Sequence, residues 1–169
     1  MTAIAEDNLK PRFTGVLNGF TFIGLGTPVP RSIDCTNAEL KALSTDEASE
    51  AIRASDLEFE PTILAPDLAL VSERATICND EVISVGRVYE GDSARLLSIV
   101  RVKAAPIIES SWAQDTLAPR ILGGRDAVVV GPVATDSFIV FLRDEETLWI
   151  VSADPFEIDE VIAIADGLH

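Results

Sequence analysis

Carboxylates dominate the chemistry available to this chain. It holds 28 Asp and Glu against 13 Lys and Arg, and its single histidine, His169, is the last residue. Without an internal imidazole, Ser-His-Asp and Cys-His nucleophile systems lack their base, and most zinc sites lack a ligand. No serine stands in a G-x-S-x-G elbow and no G-K-S/T of a phosphate loop occurs. The stretch "GFTFIGLGTPVPRS" at 19–32 has the glycine cadence of a dinucleotide turn, but Gly24 and Gly26 lack the third glycine. Pro28 and Pro30 follow where a helix would have to start and aim its amides at a phosphate. A strand end with tightly packed glycines is the expectation there.

The remaining chemistry is a carboxylate pair or a divalent-cation site. "EFE" at 58–60 would place Glu58 and Glu60 on one side of an extended chain and Phe59 on the other, which reads as a solvated face over a buried ring. Asp34 and Glu39, near the Gly-Pro stretch, form no better constellation. The residues therefore predict no catalytic group, no metal site and no cofactor. Cys35 and Cys78 fit neither a metal knuckle nor a C-x-x-C, and are expected as reduced structural thiols.

The net charge of -15 disfavours direct binding to nucleic acid or anionic lipid and favours a basic protein partner. Residues 144–169 contain eight Asp or Glu and no Lys or Arg. An acidic patch is expected to join Asp144, Glu145 and Glu146 at a hairpin tip with Glu157 and Glu160 on a helix face. Trp112 is expected as a partly exposed aromatic contact, and Trp149, between Leu148 and Ile150 in a strand, as core. The function class that follows is a non-enzymatic acidic binding module, in the manner of an immunity protein or accessory chaperone. A carboxylate enzyme, with or without a divalent metal, and a structural subunit of a larger assembly are the alternatives. The acidic N-terminal stretch and the lack of an apolar run of about 20 residues predict a cytoplasmic protein that does not enter membranes.

These groups must be carried by local structure. "LNG" reads as a hairpin turn within 13–25. "TNAE" and "STDE" are capping boxes, Thr36 with Glu39 and Ser44 with Glu47, with "ELKAL" forming a turn or two of helix between them. The second helix should bury Ala48, Ala51 and Ile52. Strands are expected across 58–90, although "DLALVSERA" also suits a short helix, and "SARLLSIVRVK" starts like a helix and ends like a strand. Ser111 and Gln114 cap a helix that Pro119 bends and Gly123 and Gly124 stop. "DAVVVGPV", "SFIVFLRD" and "ETLWIVSAD" are strands, the last two an antiparallel hairpin. A final helix has Asp154 as N-cap and Pro155 at its first position, and packs Ile158, Val161, Ile162, Ala165 and Leu168 inward.

The order of "ELKALSTDEASEAI", "YEGDSARLL" and "LGGRDAVVVGPVATDSFIVFL", between Phe22 and Leu142, resembles the YtpQ-like family of bacterial domains of unknown function. The resemblance implies an α+β fold and an uncharacterised bacterial role, and it carries over no catalytic residue. The fold expected from all these signals is one α+β domain over 1–169, with residues 1–12 a flexible lead. Its mixed, mostly antiparallel sheet would be covered on one side by helices, the C-terminal one included.

Overall fold

The computed structural model describes residues 13–23, 35, 40–109, 112–133 and 136–169. The expected turn at Gly24 and Gly26, the capping box of Thr36 and Glu39, Asp34, Ser111 and the lead 1–12 lie outside these residues. In chain order the elements are β1 (Gly15–Leu17), β2 (Phe20–Ile23), β3 (Leu40–Ser44), α1 (Thr45–Arg53), β4 (Ala69–Cys78), β5 (Glu81–Glu90), β6 (Leu96–Val102), β7 (Ile107–Glu109), β8 (Leu117–Leu122), β9 (Arg125–Val130), β10 (Phe138–Arg143), β11 (Leu148–Asp154) and α2 (Ile158–Asp166). Among the described residues strand makes up 50% and helix 16%. This overturns the α+β expectation: two nine-residue helices are too few and too short to form a covering layer. Antiparallel pairing is the part of that expectation that is found, in an eight-stranded sheet of order β3-β4-β5-β6-β11-β10-β9-β8. A second sheet, β1-β2-β7, has three strands, with β2 and β7 parallel.

Alternation along the strands gives the large sheet two apolar faces. On one, Val85, Leu97, Ile99, Val140, Leu142, Trp149 and Val151 join Ala48 and Ile52 of α1, Leu57 and Phe59 of the following segment, and Val161 and Ile164 of α2 in one buried cluster. On the other, Val128, Val130, Phe141 and Leu148 join Phe20, Phe22 and Ile108 of the small sheet. Asn18 and Gly19 take positive φ at the β1–β2 turn, as a tight hairpin requires. The Asn18 amide then donates to the carbonyls of Arg120 and Ala127, both at 2.9 Å, which ties the two sheets together.

Several local signals gave way to pairing. "LKALS" has helix-forming residues, yet it lies along β4 as β3, in register from Leu40 opposite Cys78 to Ser44 opposite Arg74. Helix begins only at Thr45. After Gly91 a single 3-10 turn, Asp92–Ala94, precedes β6, and Ser93 and Ala94 have φ of 58°, which stops any longer helix there. Of "DLALVSERA", the residues from Ala69 on belong to β4. The expected helix after Trp112 shrinks to a 3-10 turn at Gln114–Thr116, and Pro119 sits in β8, the outermost strand, where a missing N–H is tolerated. Gly123 and Gly124, with φ of 57° and 76°, make the β8–β9 turn and stop no helix.

The final helix starts one turn later than its sequence signals, with Glu157 as N-cap. Asp154 is unavailable for that role because it still pairs with Leu96 at the end of β11. The Phe156 N–H then donates to the Asp136 carbonyl at 2.9 Å. The cysteine expectation is also overturned: Cys35 and Cys78 form a disulfide, with Cα atoms 6.1 Å apart. Cys78 ends β4 opposite Leu40, and the five-residue separation from Leu40 brings Cys35 within reach. Among the described residues no helix is long and apolar enough to cross a membrane.

Candidate functional site at the β10–β11 turn

Residues 144–147 reverse the chain between β10 and β11. The Asp144 N–H donates to the Thr147 carbonyl at 2.9 Å, and the Asp144 carboxylate accepts from the Glu145 N–H at 2.9 Å. This turn borders a cleft of about 600 Å3 that is also lined by Glu81, Lys103, Arg143 and residues 104–106. An adjoining depression of about 200 Å3 adds Asp56, Leu57 and Arg101.

Register explains which groups meet. Leu148 pairs with Val102 and Trp149 with Arg101, so the basic end of β6 lies beside the acidic turn. Lys103 Nζ stands 2.6 Å from Glu81 and 3.0 Å from Asp56. The hydrogen bond to Glu81 does most to hold the Lys103 ammonium above its ordinary pKa; burial opposes it and Asp56 adds to it. In return Lys103 holds the Asp56 carboxyl below its ordinary value. Arg101 reaches Asp144 only at 4.0 Å, the outer limit of an ion pair. Its guanidinium instead lies 4.8 Å from the centre of the Trp149 ring, which packs edge-on against Phe59 at 4.9 Å. Glu145 and Glu146 are exposed, and neither has an ion pair among the described residues. Three buried atoms below the turn, Arg101 Nε, Thr147 Oγ1 and Trp149 Nε1, have no hydrogen-bond partner among the described residues.

The structure places the other predicted residues elsewhere. β11 carries the chain from the turn to Asp154, and its seven residues span roughly 20 Å. Glu157 and Glu160 lie beyond that far end and do not share a surface with Asp144, Glu145 and Glu146. Glu160 accepts from Arg95, which also contacts Asp67 at 3.1 Å and lies over the Phe156 ring at 4.1 Å. Trp112 is half-buried, tilted against Phe141 at 5.5 Å and edge-on to Phe22 at 6.4 Å. It packs the small sheet on the large one. Trp149 is fully buried, as its strand position suggested, and so is Phe59 between exposed Glu58 and Glu60.

Asp56, Glu81, Arg101 and Lys103 are the site residues that sequence reasoning missed. They come from the segment after α1, the start of β5 and the end of β6, and only strand register brings them together. Among the described residues no group of three or more His, Cys, Asp or Glu is placed to hold a metal ion. Comparisons with protein-family models, with curated proteins and with solved structures find no match. The resemblance to YtpQ-like domains is neither supported nor refuted by them.

Proposed function

We propose that the protein is a non-enzymatic binding module that docks a basic protein partner on the β10–β11 turn, covering a functional surface of that partner as an immunity protein or accessory chaperone does. One observation carries the reading. Glu145 and Glu146 project from a short, hydrogen-bonded turn with no ion pair among the described residues, beside a lysine already held by two acids. Such a surface offers fixed negative charge to an approaching cation and loses little freedom on contact. The Cys35–Cys78 bond favours an oxidising compartment for this encounter over the reducing cytoplasm. The rival reading, a carboxylate enzyme using a metal, draws no support from the placement of the acids.

The test is affinity capture at low salt with the native chain, Glu145→Lys/Glu146→Lys and Glu157→Lys. A basic protein held by the native chain and by Glu157→Lys, but retained at least about tenfold less by the double variant, supports the reading. Equal retention by the double variant rejects it.

A further inference from the structure

We infer that the Cys35–Cys78 bond is a redox lock on one edge of the large sheet: reduction by a dithiol lets β3 separate and uncovers the edge of β4. Among the described residues β3 is the terminal strand and pairs with β4 alone. Of its five side chains Leu43 alone is buried, so packing holds it weakly. Its C-terminal end runs straight into α1, which is anchored by fully buried Ala48 and Ile52. Among the described residues, what fastens its N-terminal side is the covalent bond from Cys35 to the end of β4.

The edge that would be uncovered is already partly open. β3 covers β4 only from Arg74 to Cys78, so among the described residues Ala69, Leu70, Ser72 and Glu73 pair with β5 alone. In that stretch Leu70 and Val71 are 47% and 52% exposed. Loss of β3 would extend the unpaired edge along all ten residues of β4.

The chemistry is thiol–disulfide exchange. A thiolate of the dithiol attacks one sulfur of the pair, a mixed disulfide forms, and the other cysteine leaves as a thiolate. The second thiol of the reductant then attacks the mixed disulfide, freeing the remaining cysteine. The reductant closes as a cyclic disulfide, and two electrons and two protons reach the protein. Both cysteines are buried, Cys35 at 4% and Cys78 at 2% exposure. The reductant must therefore wait for β3 to open, and the rate of reduction reports that opening.

Hydrogen exchange followed by mass spectrometry on the full chain, oxidised and after treatment with dithiothreitol, tests the lock. The expected result is at least about tenfold faster exchange at residues 41–43 on reduction, with β10 and β11 unchanged. Cys35→Ser/Cys78→Ser should match the reduced native chain; if that variant does not fold, the reduction of the native protein decides alone. Unchanged exchange at 41–43, or equal acceleration across β10 and β11, would overturn the proposal, the second by making the bond a staple of the whole fold.

Discussion

Arg101 and Trp149 face each other across β6 and β11, the guanidinium stacked 4.8 Å from the indole centre, yet Arg101 Nε and Trp149 Nε1 both lack a hydrogen-bond partner among the described residues. Thr147 Oγ1, in the turn just before β11, is in the same condition. The ground beneath the acidic turn is held by stacking and apolar contact, and its polar atoms contribute little.

Thr147→Val should therefore stabilise the protein by about 1 kcal/mol, because an isosteric methyl replaces a buried hydroxyl that makes no bond. Trp149→Ala should cost about 3–5 kcal/mol through the cavity left between Phe59 and the sheet. Urea midpoints at constant m-value measure both. A Thr147→Val variant that loses stability would mean that an ordered water satisfies the hydroxyl.

Arg95 is expected to matter more than its charge partners. It joins Asp67, Glu160 and the Phe156 ring, and so connects the segment before β4 to the start of α2. Arg95→Ala should cost about 2–3 kcal/mol, since stacking and two contacts disappear together. Glu160→Gln should cost under about 1 kcal/mol, because that carboxylate is partly in water. Thermal unfolding of the two variants gives the comparison.

Stability should fall at both ends of the pH scale. Asp67 is held below 3.8, chiefly by the Asp92 N–H and then by Arg95, and Asp56 is held below 3.8 by Lys103. A depressed carboxyl stabilises the fold above its unfolded pKa, so this contribution is present above about pH 4 and drains away as pH falls through the folded values. Lys103 is held above 10.5, so its contribution is complete below that pH and is lost as pH rises through the folded value. Asp67→Asn should flatten the acid limb, and Lys103→Gln the alkaline one, in unfolding curves recorded from pH 2 to 12.

Gly131 should not accept a side chain. Its φ is 147°, and a Cβ there would lie 2.6 Å from the Phe138 ring and 2.9 Å from the Ser137 carbonyl. Gly131→Ala is expected to cost roughly 2 kcal/mol or more, whereas Gly124→Ala, with open space around it, should cost only the strain of a positive φ, about 1 kcal/mol. Denaturant unfolding of the pair separates crowding from backbone strain.

How much of this was legible beforehand depends on whether the deciding contact is local. The strands around Val128, Phe141 and Trp149 were readable because β-branched and aromatic residues cluster there, and the Asn18–Gly19 turn because its geometry is set by two residues. "LKALS" was misread because its partner β4 lies some 30 positions away and intrinsic preference is weak beside a ladder. The same reasoning applies to Asp154: its capping side chain was visible, but its pairing with Leu96 was not. At the site, the acids of the turn were legible and their neighbours were not. Asp56, Glu81 and Lys103 are separate in sequence, and Glu157 and Glu160 were joined to the turn although the strand expected between them already sets the two ends apart.

Pro119 gives the two rims of the large sheet unequal prospects. Midway along β8, its ring leaves no amide hydrogen to offer an incoming chain, so recruitment at that rim halts. Should molecules join through β4, the opposite rim of the large sheet would not repeat the contact.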